Sequence, residues 1–250
     1  MKTNFHYILG VILFITTSYS TSQSIGLKKE NKVKILEKNL KKTGLKKNLK
    51  NINSCVINYE TFINNADGLE ITGKVIFKDP NYFYHSENRI FQKEQQIFTT
   101  KFDGKNCLVE REIDKLTTSN KISKELMNEK YISNNPFYTS FLFDNIDKVL
   151  SIEKIKKDRK TIFELKINDN TCDSLLLYID AASYFIIQRK IYKNNSLNSI
   201  IYSDFKNVEG FVIPHKETSN KYINNKLAQT SNKKIVSVNL NVDINDTIFK

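Results

Sequence analysis

Tryptophan is absent from this 250-residue chain, and proline, cysteine and histidine occur three times each. Few prolines, with 40% hydrophobic and 11% aromatic residues carried by Phe and Tyr, argue against a disordered chain and for a sizeable core. The cysteines are Cys55, Cys107 and Cys172, and an odd number leaves at least one outside any intramolecular disulfide. Each lies in a strand-like run, where Cys behaves as a small apolar residue. No CxxC pair or metal-like spacing is present, so neither a metal nor a cofactor is expected. Whether any two of the three pair is left open.

The shortage of histidine bears on catalysis. A Ser or Cys nucleophile usually needs a base, most often His. Beyond the first residues only His85 and His215 are offered, and neither sits in a nucleophile motif. GxSxG, HExxH and a glycine-rich phosphate loop are missing too. Glu110 and Glu112 share a strand face, with Arg111 and Lys115 as expected surface partners, and Asp204 near Glu209 is expected to make local hydrogen bonds. The expectation is a protein that is not an enzyme.

Long apolar runs are also lacking. The longest near the start is Tyr7–Ile15, interrupted only by Gly10, against the ~20 residues that a membrane-spanning helix needs. It follows Lys2 and precedes the small polar stretch Thr16–Ser24, the order of a secretory signal peptide. Ser20 and Ser24 each present Ser at the −1 and −3 positions of a cleavage site. With no Cys nearby, lipid modification there is not expected. Residues 1–24 are thus expected to be a cleaved leader and the chain to be exported; an uncleaved anchor is the alternative.

The formal net charge is +12, mostly from Lys. Acidic residues are interleaved with it, and only Lys28–Lys50 is densely basic. Most of the charge therefore reads as solvated surface, and an exported protein has little access to DNA, so no nucleic acid is expected as partner.

Periodicity gives the elements. Val33, Ile35, Leu36 and Leu40 predict a helix that Gly44 ends, and Leu45–Leu49 a second short one. From Cys55 the period becomes two. Strands are predicted at Cys55–Tyr59, Leu69–Phe77 (with Gly73 as a bulge or bend), Tyr82–His85, Gln96–Phe102 and Asn106–Glu110, with an Asp103-Gly104 hairpin. Pro136 is expected to open a helix carrying Phe137, Phe141, Leu142, Ile146 and Val149. Further strands are Thr161–Ile167, Cys172–Ile179, Tyr184–Tyr192, Ser199–Phe205, Phe211–Lys216 and Ile235–Val242. The sum is ten or eleven mostly antiparallel strands in one domain, residues 25–250.

The late segment carries a resemblance. A strand–turn–strand run, LLLYIDAASYFIIQRKIY, is followed by Tyr202, Asp204, Phe205, Gly210 and Pro214 in a "Y-x-D-F-x-x-x-x-G-x-x-x-P" pattern. The chain then closes on Asn241, Ile244, Asp246 and Phe249. In this order the sequence resembles the LolA-like periplasmic lipoprotein-carrier family, especially its divergent Bacteroidetes relatives. It departs from them in having Thr43-Gly44 where paired glycines are common, and no Trp near Asp103-Gly104. The resemblance implies an α+β fold: a strongly curved antiparallel half-barrel wrapped around helices, with an apolar cavity that accepts acyl chains. Phe77, Phe83, Phe98, Phe102, Phe137 and Phe141 are the expected lining.

The resulting expectation is a monomeric carrier of a lipid or lipidated protein, with membrane-protein donor and acceptor in the envelope. The rival is an envelope interaction or stress-sensing module on the same fold without lipid, and a third reading is a secreted structural protein with no cavity.

Overall fold

The computed structural model describes residues 25–26, 29–48, 51–64, 68–78, 82–91, 94–122, 142, 146–169 and 172–250. The expected leader, and Phe137 and Phe141, lie outside the described residues.

The helical period holds for α1, Lys29–Lys42, which buries Ile35, Leu36 and Leu40 and leaves Val33 exposed. Gly44 stops it with φ at +79°, a conformation costly for any side chain, and α2, Leu45–Asn48, follows. Lys32 Nζ donates to the carbonyl of Val149 and Asn39 Nδ2 to that of Tyr184, which fastens the helix to the sheet at two places.

All strands among the described residues belong to one antiparallel sheet of fourteen. The first is a two-residue stub, β1 (Ile25–Gly26). One meander comprises β2 (Ser54–Asn64), β3 (Leu69–Lys78), β4 (Tyr82–Phe91), β5 (Glu94–Phe102), β6 (Cys107–Ile113) and β7 (Leu116–Lys121). The second comprises β8 (Val149–Lys157), β9 (Lys160–Ile167), β10 (Ser174–Asp180), β11 (Ile186–Lys193), β12 (Ser196–Val208), β13 (Phe211–Ile223) and β14 (Lys226–Leu240). The last strand, β14, pairs with β2 and joins the two meanders, while β1 adds to β8. The edges are β1 and β7, so the described sheet is open and the chain is mostly β.

Several expectations need correction. Among the described residues a mostly β architecture with an open sheet stands in place of the expected α+β, strongly curved half-barrel, and fourteen strands replace ten or eleven. Strand β7 was not expected because its six residues are all exposed, with no alternation of burial to betray it. Val149 opens β8 and Ile146 sits in a 3-10 turn, so the helix expected from Pro136 does not extend to them. Gly73 is not a bulge: pairing runs without interruption from Tyr59 through Gly73 to Glu87. The register shifts fall elsewhere, at Tyr178/Ile179, Lys221/Tyr222, Ile235/Ser237 and Val149/Ser151.

The two faces are covered differently. On the helix face, Leu40 and Leu45 pack with Cys55, Ile57, Val75, Phe77, Phe83 and Phe211. Leu36 joins a neighbouring cluster with Ile152, Leu165 and Leu177. On the outer face, the C-terminal turn Asp246–Phe249 brings Ile244 and Phe249 onto Val56 and Ile76. Lys78 clips that turn down, its ammonium donating to the carbonyl of Ile244 and pairing with Asp246.

Candidate functional site

Register decides which side chains meet on the helix face. Directly opposed residues Cys55, Phe77, Phe83, Phe102 and Cys107 form one apolar line across β2 to β6. The Phe77 and Phe83 rings lie 5.5 Å apart, tilted by 56°, the favourable edge-on arrangement. Two residues along each strand the line is mixed: Ile57, Val75, His85, Thr100 and Val109. Two further, it is Tyr59, Gly73, Glu87, Phe98 and Arg111. The face thus grades from apolar to polar along the strand direction.

Four of the expected lining residues fall on this face, but not alike. Phe83 is fully buried and Phe77 nearly so, while Phe102 is half-buried against them. The Phe98 ring instead carries guanidinium groups, Arg89 at 4.2 Å and Arg111 at 5.3 Å from its centroid, as expected for a cation over a π face.

The polar end holds a connected network. Gly73 has no side chain, and the Tyr59 ring lies across it; a Cβ there would stand 2.0 Å from Tyr59 Cζ. So placed, Tyr59 donates its one proton to Glu87 Oε1 at 3.0 Å. His85 Nε2, at 2.6 Å from the phenol oxygen, is then the donor to it. Glu87 Oε2 accepts from Arg89 Nε at 3.0 Å and Nη2 at 2.6 Å. Across the β14–β2 seam the Lys233 ammonium stands 4.2 Å above the Tyr59 ring and 3.9 Å from Glu217.

Charge follows from this geometry. Burial by itself would raise the Glu87 carboxyl, but the His85 hydrogen bond and charge and then Arg89 outweigh it and hold the group well below the usual range. Burial, with the Glu87 charge, pushes the Tyr59 phenol far up, so it stays a donor. Because the folded-state value for Glu87 is depressed, its stabilisation is present above about pH 4.5, the ordinary glutamate value, and is lost as pH falls below it. Replacing Glu87 by Gln is expected to flatten the acid limb of stability by up to about 1.4 kcal/mol per pH unit. Urea midpoints of both proteins between pH 3 and pH 7 read this directly; parallel curves would refute it.

The remaining titratable candidates are structural. His215 is buried and donates from Nδ1 to the Ile213 carbonyl at 3.0 Å. Glu110 pairs at 2.9 Å with Lys101 on the neighbouring strand, not with the expected Arg111 and Lys115, and Asp204 pairs with Lys206 at 3.4 Å. No disulfide joins any two of Cys55, Cys107 and Cys172. Cys55 and Cys107 lie four strand spacings apart, about 19 Å at ~4.8 Å each, beyond the ~7 Å limit for a disulfide. Burial pushes the Cys55 thiol up to about 12, so it is no nucleophile at neutral pH. Among the described residues no group of three or more His, Cys, Asp or Glu side chains could hold a metal ion, and no helix is long and apolar enough to cross a membrane.

Sequence reasoning had missed Tyr59, Glu87, Arg89 and Lys233. The alternation His85-x-Glu87-x-Arg89 was the available signal, since those residues share a face with Phe83. Tyr59 and Lys233 could be placed only once the pairing of β14 with β2 was known.

No protein-family model and no curated protein sequence matches the chain. Solved structures do. A domain of a candidate outer membrane lipoprotein-sorting protein from Vibrio parahaemolyticus matches with a TM-score of 0.54 and 11% identity, over 89% of this chain and 97% of that one. A LolA superfamily protein from Nitrosomonas europaea matches with a TM-score of 0.52 and 15% identity, over 86% and 97%. A DUF1329 family protein from Desulfovibrio piger gives 0.55 and 9%, over 88% and 96%. At these identities it is the backbone fold that this chain shares with these structures, along most of its own length and nearly the whole of theirs.

Proposed function

We propose that this chain is a periplasmic carrier or binding protein for a lipid or a lipidated protein, and that it performs no chemistry. The observation that carries the reading is the graded helix face. The apolar line Cys55–Phe77–Phe83–Phe102–Cys107 passes into a polar band within one surface of a LolA-type sheet. Such a face suits an amphiphile, chain on the Phe side and polar end on the other. In this reading residues 1–24 are removed on export, and residues 25–250 are one domain. Phe77, Phe83, Phe98, Phe102, Phe137 and Phe141 then bound the space for acyl chains, and membrane proteins of the envelope act as donor and acceptor.

Native mass spectrometry of the protein purified from its own envelope, followed by lipid extraction, is expected to give an acyl species in near-stoichiometric amount. An empty protein that also fails to take up a fluorescent fatty acid would overturn the carrier reading. A partner-binding module would then stand in its place. Exposed Ile201, Ile223, Leu227 and Val236 on the long strands β12 to β14 favour that second reading, because apolar groups at such positions suit a protein surface.

A further inference from the structure

Arg189 is the least expected residue of the helix face. It lies on β11 directly opposite Leu177, which is opposite Leu165, itself opposite Ile152, and its other neighbour is Ile200. A guanidinium therefore stands in a line of aliphatic side chains, with 7% of the residue exposed. Among the described residues nothing accepts a hydrogen bond from its Nε, which is fully buried. Arg stays charged at any physiological pH. Burying an ion without a partner costs several kcal/mol, so natural structures pair it.

The surroundings indicate what would pair with it. Tyr202, two residues from Ile200 on β12 and on the same face, is near enough for the Arg189 charge to act on its phenol. Burial pushes that phenol up to about 12, so its hydroxyl remains a donor. The carboxylate beyond it, Glu217, lies opposite Tyr202 and has Lys233 at 3.9 Å as its own partner. Arg189, through its unsatisfied Nε, and Tyr202 thus present donors and positive charge beside a carboxylate, Glu217, that already faces Lys233.

We propose that Arg189 and Tyr202 bind the anionic end group, carboxylate or phosphate, of an amphiphile whose chain lies along the apolar part of the helix face. The site rests on the carrier reading and deepens it by naming the ligand class. A planar fork of N–H donors takes either group through two parallel hydrogen bonds, and the aliphatic neighbours exclude the water that would weaken them.

The test uses three probes with one sixteen-carbon chain: hexadecanoate, hexadecyl phosphate and hexadecanol, each titrated calorimetrically below its micelle concentration. The purified protein is expected to bind at least one anion about tenfold or more tightly than the alcohol, as one charge-assisted hydrogen-bonded pair warrants. The better of the two anions identifies the source chemistry. Arg189→Gln should bring that anion down to the alcohol's affinity and leave the alcohol unchanged. Lys190→Gln, on the opposite face, should change neither. If Arg189→Gln does not fold by circular dichroism, Tyr202→Phe should still cut the preference several-fold. Equal binding of all three probes, or an anion preference that survives the variant, overturns this site while leaving the carrier reading intact. Binding of none overturns both.

Discussion

Replacing Gly44 by Ala is expected to destabilise the protein by about 2–5 kcal/mol, where Gly104→Ala costs only about 1–2. Both glycines have left-handed backbones, φ +79° and +87°, and a side chain there costs about 1–2 kcal/mol in either. They differ in what a Cβ would meet. At Gly104 there is nothing within 4 Å, but at Gly44 the carbonyl oxygen of Gly210 would be 1.9 Å away. That oxygen belongs to backbone at the β12–β13 turn and cannot swing aside. The chain must part instead, straining the Val212 N–H to Thr43 carbonyl hydrogen bond of 3.0 Å that ties helix to hairpin, and overpacking of this kind adds about 1–3 kcal/mol. Urea denaturation of the two variants separates the contributions. Equal losses would mean that the Gly44–Gly210 contact contributes nothing.

That contact also explains part of what was legible. The sequence pattern that pointed to the fold consists of residues with backbone duties. Gly210, φ +88°, closes the β12–β13 turn beneath the helix end. Pro214 lies opposite Phe205, next to Asp204, which holds φ +53° inside a strand. Pro lacks an N–H for the ladder, so the Asp204 and Pro214 positions of the late motif mark an interruption of the pairing. The closing motif behaves likewise: Asn241 Oδ1 accepts from the Asn53 N–H, while Ile244 and Phe249 seal the outer face. These positions constrain the main chain locally, and local constraint is what a single sequence records.

What was not legible depends on long-range pairing. The β14–β2 seam brings Lys233 and Tyr59 together although their strands are far apart in sequence. Gly73 was noticed, but as a source of bending. Its reason is the Tyr59 ring, which register alone sets over it. Arg189 reads in sequence as one more cation in a lysine-rich chain. Only its place between Leu177 and Ile200 reveals that it is buried. Strand ends were also misjudged wherever burial ceases before pairing does, as in β13, which runs to Ile223 past the expected Lys216.

Phenylalanine counts for different things along the same face, and a pair of substitutions should show it. Phe83→Ala is expected to cost about 3–5 kcal/mol, the range for truncating a fully buried aromatic. Its ring lies against Phe77, and it has 0% exposure. Phe98→Ala should cost less than about 2 kcal/mol, because the ring is half-buried and its main partners are the Arg89 and Arg111 guanidinium groups. The functional consequence runs the other way. Without the Phe98 ring, Arg89 keeps Glu87 but loses the ring beneath its guanidinium, so the polar end of the face loosens while the fold persists. A folded Phe98→Ala protein is therefore expected to take up a fluorescent fatty acid several-fold less tightly, and thermal melts beside uptake assays decide the matter. If Phe98→Ala proves as destabilising as Phe83→Ala, Phe98 is core. If it changes neither stability nor uptake, the polar end does not meet the fatty acid.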